Sequence, residues 1–304
     1  MEKLSQSLSR IIKDRKWQDQ YQDLLAQAVK DPDVQQFLQE HQAQVNEAIL
    51  QQGLDAIYEF VQAKKHMNAF AAGYQPRLIF KNRAIQVSYE PDQELIAHKE
   101  QQRFEQNFMT IDMSSDIKQA DLTAFAQGAS GRQNALAAAY RFVIDYTTKP
   151  QFTPGLYLSG DFGIGKTYLL AAIAKELVQN QVAVLLIHFP TFTVQMKNAI
   201  HDNSVLSRID QIKTVPILML DDIGADSLSS WIRDEVLGVI LQYRMQEQLP
   251  TFFSSNFAMK DLEKHLTINQ RGDQEPIKAA RIMERVRYLS HEVILSGPNR
   301  RFEK

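Results

Sequence analysis

Apolar residues follow two rhythms along this chain. Up to about residue 65 they recur at helical spacing. Leu24, Leu25, Ala28 and Val29 form one group, and Val45, Ile49 and Leu50 another. Asp31-Pro32 interrupts the pattern, and Pro32 suits the first turn of a new helix, where its missing N–H costs nothing. This part predicts a small helical bundle. Residues 77–89 read differently. Leu78, Ile79 and Phe80 precede the polar Lys81-Asn82-Arg83, after which Ile85, Val87 and Tyr89 alternate with Gln86 and Ser88. That period of two predicts a β-hairpin. Residues 92–130 are mixed and polar and read as a connection.

From about residue 131 the rhythm changes again. A helix, RQNALAAAYRFVIDY, leads into apolar segments that alternate with amphipathic helices. The predicted strands are Leu156–Ser159, Val182–Ile187, Ile217–Leu220, Thr251–Ser254 and His291–Leu295. Strands that are apolar throughout belong to a parallel sheet covered on both faces, so the expected class is α/β. The expected organisation is an N-terminal, mainly helical domain with a β-hairpin over 1–100, a linker over 101–130 and an α/β domain over 131–304. There is no internal repeat.

Composition narrows the chemistry. With 304 residues, 44% apolar and 23% charged, the chain has the make-up of a soluble globular protein. A net charge of −2 excludes a global attraction to nucleic acid, leaving only local basic patches. The absence of cysteine excludes disulfides, thiolate chemistry and Cys-based zinc sites. The first twenty residues lack an apolar signal core, and no stretch reaches the roughly 20 apolar residues that span a bilayer. A cytoplasmic protein without a membrane partner is expected.

Gly160-Asp161-Phe162-Gly163-Ile164-Gly165-Lys166-Thr167 matches the phosphate loop G-x-x-x-x-G-K-[ST] at every fixed position, with Tyr168 just beyond it. Glycines let successive N–H groups curl toward phosphate oxygens, and the following helix adds its positive N-terminal end. Lys166 is expected at the β and γ phosphates of ATP and Thr167 on Mg²⁺. The context fits, since the motif follows the strand LYLS and opens the helix TYLLAAIAKELV.

The apolar run Ile217–Leu220 ends in Asp221-Asp222. Carboxyl ends of parallel strands form the ligand crevice, so Asp221 is the expected Mg²⁺ ligand beside Thr167. Asp222 is placed to orient or deprotonate the attacking water. Thr251–Ser255 ends similarly at Asn256, a neutral group suited to positioning that water or sensing the γ-phosphate. Further on, Arg281 and Arg285 stand one helical turn apart beside the buried stripe Ile282, Val286 and Leu289. Either one, Arg285 ahead of Arg281, is a candidate arginine finger for a neighbouring subunit.

The order GDFGIGKT, ILMLDDIGADSLSSWIRDEVLGVILQYRM, TFFSSN and RIMERVRYL resembles the AAA+ helicase loaders of bacteria, the family of the primosomal DnaI proteins, DnaC and the transposition protein IstB. The resemblance covers residues 100–300. It implies a P-loop AAA+ core without the usual helical lid, an ATPase that self-associates through that core, and a hexameric replicative DNA helicase gripped by the N-terminal domain. It also implies single-stranded DNA binding, partly through TFTVQMKNAIHDNSVLSRIDQIK with its Lys197, Arg208 and Lys213, and leaves other primosome proteins as further candidate partners. Family members more often carry Glu where this chain has Asp222. Some DnaI proteins bind zinc through Cys and His ligands. Here only His66 stands in the equivalent stretch, so no zinc is expected and apolar packing must hold that domain together.

Two rival readings remain. An IstB-like transposition ATPase would not need the N-terminal domain with its hairpin. A P-loop small-molecule kinase usually has a mobile, arginine-rich lid, and no such insertion is present. A duplex-reading initiator fits less well, because only nine residues follow Leu295.

Overall fold

The computed structural model describes residues 23–65, 72–125, 131–149 and 151–300. Two compact units divide the chain, residues 1–101 and 102–304.

In the first unit the helix Pro32–Glu40 begins where the proline predicts, with the Asp31 carboxylate accepting the Asp33 N–H. A short helix, Glu47–Gln52, is capped by the Asn46 side chain, and Leu54–Lys65 follows. The hairpin pairs β1 (Tyr74–Lys81) with β2 (Ala84–Pro91) through to Lys81 opposite Ala84. Asn82 and Arg83, at φ of 56° and 59°, form its two-residue loop. Two left-handed residues match the right-handed strand twist. Val34, Phe37, Ile57, Phe60, Leu78 and Ile85 form an apolar core between helices and hairpin. Leu24, placed on the predicted helical stripe, is exposed. His66 lies outside the described residues.

The second unit is built on a six-stranded, wholly parallel sheet, β3 (Phe108–Ile111), β4 (Gly155–Ser159), β5 (Val184–His188), β6 (Ile217–Asp221), β7 (Thr251–Ser255) and β8 (Ser290–Ile294), in the spatial order β3-β5-β6-β7-β4-β8. Successive residues alternate between its faces. Tyr157, Ile187, Leu220 and Phe253 pack under the helices Phe189–Asn198, Val205–Lys213, Gly238–Gln246 and Pro276–Leu289. Leu158, Leu186, Met219 and Phe252 face the helices Gly131–Thr148 and Lys166–Gln179. The predicted α/β architecture, a parallel sheet covered by helices on both faces, is present.

One expectation fails. Residues 101–130, read as a linker, supply the edge strand β3, and Phe108, Leu122 and Phe125 are buried in the core of the second unit. The strand escaped notice because it has four residues, follows the polar helix Gln93–Asn107 and buries only one side chain, too few for a period to emerge.

Arg244 braces the sheet from within. It is fully buried and donates to Thr251 Oγ1 and to the carbonyls of Lys213, Val215, Pro216 and Pro250, joining the chain entering β6 to the chain entering β7. Among the described residues no helix is long and apolar enough to cross a membrane.

Candidate nucleotide site

Three strand ends and one helix start converge at the carboxyl edge of the sheet. The turn after β4 carries positive φ at Gly160, Gly163 and Gly165 (146°, 75° and 98°), a path side chains resist, and delivers Lys166 to the first turn of the helix Lys166–Gln179. Lys166 is 8% exposed, and its Nζ donates at 2.8 Å to the carbonyls of Gly160 and Asp161 and to Asn256 Oδ1. The ammonium therefore sits inside the loop that its own motif forms.

Thr167 Oγ1 lies 2.9 and 3.0 Å from the two carboxylate oxygens of Asp221 at the end of β6. Ser254, from the neighbouring β7, donates to Asp221 Oδ1 at 2.5 Å and accepts the Asp222 N–H at 2.9 Å. Burial pushes the Asp221 carboxyl above its ordinary value. The Ser254 and Thr167 hydroxyls pull the other way, while the Asp222 charge adds to the rise. A nearly buried carboxylate beside a hydroxyl is a good seat for a cation. Mg²⁺ takes one or two carboxylates and completes its shell with phosphate and water oxygens.

Asp222 adopts a left-handed φ of 61°, a local strain of the kind that gathers at functional sites. Its Oδ1 accepts from Asn256 Nδ2 at 3.1 Å. Asn256 thus turns its oxygen to the Lys166 ammonium and its amide donor to the Asp222 carboxylate. Each end faces the charge it prefers, which locks the amide and joins loop, β6 and β7.

These groups line a cleft of about 660 Å³, large enough for a nucleotide. Phe162, Gly163, Gly165, Lys166, Thr167, Tyr168, Asp221, Asp222 and Asn256 face it, all of them sequence candidates. Ile164 differs, since its side chain is buried in the core and its carbonyl accepts from Arg132. Gly160 and Asp161 enter through the carbonyls that hold Lys166. Arg281 and Arg285 do not line the cleft. Arg281 is exposed, and Arg285 is half-buried with Nε donating to Gln242 Oε1 at 2.9 Å.

Several lining residues escaped the sequence reading. Asp112, Met113, Ser114 and Ile117 belong to the segment taken as a linker. His188 and Thr191 bond to each other at the end of β5, and His188 is level with Asp221 in the sheet. Ser254 was legible only as part of an apolar strand. Arg300 lies beyond the last predicted strand. Of the three cations in the segment after β5, Lys213 pairs with Asp210 and covers the Tyr243 ring, Arg208 pairs with Asp202, and Lys197 is exposed.

Comparison with known proteins places the chain among replication proteins. The family described as "Primosomal protein DnaI N-terminus" matches residues 1–89, and the "Bacterial DnaA ATPase domain" matches residues 118–288. The chain is 37% identical over 313 residues to the replicative helicase loader DnaI of Bacillus subtilis, covering 99% of both chains. A crystal structure of a DnaI covers 66% of this chain and all of its own, with 47% identity and a TM-score of 0.58. A crystal structure from Streptococcus pyogenes serotype M3, described as that of a primosome component, covers 66% of this chain and 99% of its own, with 42% identity and a TM-score of 0.55.

Proposed function

This chain belongs to the DnaI family of replicative helicase loaders, and from that premise we propose that it binds Mg·ATP in the cleft above β4, β6 and β7, hydrolyses it between assembled subunits, and uses the cycle to place a hexameric replicative helicase on single-stranded DNA. The observation that carries the reading is the junction of three elements. Thr167 meets both oxygens of Asp221, while Asn256 bridges Lys166 and Asp222. Brought together from distant parts of the sequence, these five groups would serve phosphate and metal together.

Lys166 and the loop N–H groups would hold the phosphates, with the positive end of the following helix behind them. Thr167 and Asp221 would hold Mg²⁺, which when bound withdraws charge from the phosphate oxygens. Asp222 would orient the attacking water and take its proton, with Asn256 fixing its direction. Aspartate is one methylene shorter than the glutamate common in the family, and the Asn256 contact and left-handed backbone at Asp222 aim that shorter arm. Met113, Ile117 and Tyr168 would flank the base side of the nucleotide. Arg285, with Arg281 as the alternative, would complete a neighbour's site, since neither reaches the cleft of its own chain. Residues 1–101 would grip the helicase. The exposed Lys197 would join the surface that meets DNA, beside other primosome proteins.

The test is capture of the purified hexameric helicase by the full chain with and without Mg·ATP. Stable capture that depends on residues 1–101 is expected. Failure to bind the helicase under either condition would remove the loader reading and leave a nucleotide-binding protein of another role.

A further inference from the structure

The segment that leaves β8 returns to the phosphate loop. Leu295, 2% exposed, donates its N–H to the Ser159 carbonyl at 2.7 Å. Five residues later the Arg300 N–H donates to the Gly163 carbonyl at 2.9 Å. Between these two anchors the Leu295 backbone lies so close that Gly160 is needed for its approach as well as for its own turn, and the Asn299 side chain fills the space beside Gly163. A Cβ at Gly160 would stand 2.3 Å from the Leu295 carbonyl oxygen, and one at Gly163 would stand 1.9 Å from Asn299 Oδ1. Both distances lie far inside van der Waals contact. Arg300, half-buried, then lines the same cleft as Gly163, Lys166, Thr167, Asp221 and Asn256.

From this geometry we infer that Leu295–Arg300 is a strap tying the phosphate loop to the sheet, and that Arg300 is a nucleotide-contacting residue acting in cis. The inference rests on the nucleotide reading of the cleft. Its reason is electrostatic. The lining includes three carboxylates, Asp112, Asp221 and Asp222, against Lys166, His188 and Arg300 as the basic groups. A triphosphate brings several further negative charges into this space, and Mg²⁺ with one lysine balances only part of them. A guanidinium offers a planar fork suited to phosphate oxygens. The backbone anchor to Gly163 fixes where that fork starts, so less freedom is lost when it engages. The strap thereby lets the core fold itself supply a second phosphate cation without a separate lid.

The test compares full-length wild type, Arg300→Ala and Arg300→Lys by titration with a fluorescent ATP analogue, with thermal melting in the absence of nucleotide as the fold control. Arg300→Ala is expected to weaken binding by about tenfold or more, the loss of one charge-assisted contact, and Arg300→Lys to recover part of it. If Arg300→Ala melts markedly lower, Arg300→Gln, which keeps most of the stem and drops the charge, carries the comparison with Lys. Wild-type binding that the neutral variants leave within twofold overturns the assignment of Arg300 alone. No binding by the wild type itself overturns both this inference and the nucleotide reading on which it rests.

Discussion

Ser254→Ala removes one oxygen from the centre of the site. Ser254 is 1% exposed; its hydroxyl donates to Asp221 Oδ1 and accepts the Asp222 N–H. A hydrogen bond to a charged group contributes about 1.5–3 kcal/mol, and a backbone N–H left without its partner at the half-buried Asp222 adds about 1 kcal/mol. The sum, about 2–4 kcal/mol, corresponds to a fall in melting temperature of roughly 5–15 °C for a unit of this size. The loss also depends on pH. Burial already raises the Asp221 pKa, and the Ser254 hydroxyl is one of the groups holding it down. A folded pKa above the unfolded value means that the ionised carboxylate is the costly form in the folded protein. That cost is absent below the unfolded value, near 4, and sets in as pH rises through the folded pKa. Removing Ser254 raises the folded pKa further, so the penalty is largest at neutral and alkaline pH and shrinks in acid. Urea unfolding of nucleotide-free protein across this range measures it. Ser255→Ala is the control. Its hydroxyl bonds the Ile223 carbonyl and the Phe257 N–H, so its penalty should not follow the titration of Asp221. A Ser254→Ala protein within about 0.5 kcal/mol of wild type at pH 8, or equally destabilised at both ends of the range, would refute this reasoning.

Other expectations follow from the same contacts. Lys166→Ala should weaken ATP binding by about 10- to 150-fold, the loss of one or more charge-assisted bonds, with an unchanged circular dichroism spectrum. Asp221→Asn removes the costly buried charge, so the nucleotide-free protein should melt higher than wild type at pH 8, with the advantage fading in acid, while Mg²⁺ ceases to strengthen ATP binding; a lower melting point at pH 8 counts against a raised Asp221 pKa. Arg285→Ala should bind ATP nearly normally and lose assembly-stimulated hydrolysis by about 10³-fold or more. Mixing it with Lys166→Ala subunits should restore part of the activity, and a mixture of folded, assembling mutants that recovers none would end the trans assignment. Arg244→Ala leaves four carbonyls and the Thr251 hydroxyl without their donor and should destabilise the protein by about 3–5 kcal/mol in urea unfolding.

Legibility in the sequence followed physical signal strength. The five predicted strands of the sheet rest on runs of consecutive apolar side chains, the hairpin on a period of two and the helix start on Pro32; the sheet strands are present within a residue or two of their predicted ends. The phosphate loop was legible because its spacing admits few other uses. Asp221, Asp222 and Asn256 were legible because strand ends in a parallel sheet point at one edge, although the bridge that Asn256 makes between Lys166 and Asp222 depends on strand order, which the sequence does not state. Phe108–Ile111 was hidden by its length. Ser254 was hidden because a buried serine in an apolar strand looks like filler until β6 and β7 prove adjacent. Arg300 was hidden because its place depends on a backbone anchor to Gly163, and no periodicity encodes such an anchor.

In the proposed function, ATP held by Lys166, Thr167 and Asp221 drives loading of a replicative helicase. The most direct measurement is deposition of the purified hexameric helicase on circular single-stranded DNA, scored by helicase-dependent unwinding of an annealed oligonucleotide. Wild-type protein with Mg·ATP should raise deposition well above that of helicase alone. Lys166→Ala should still capture the helicase through residues 1–101 yet leave deposition at the level of helicase alone. A Lys166→Ala protein that loads as well as wild type, or a wild-type protein that never raises deposition, would contradict the account.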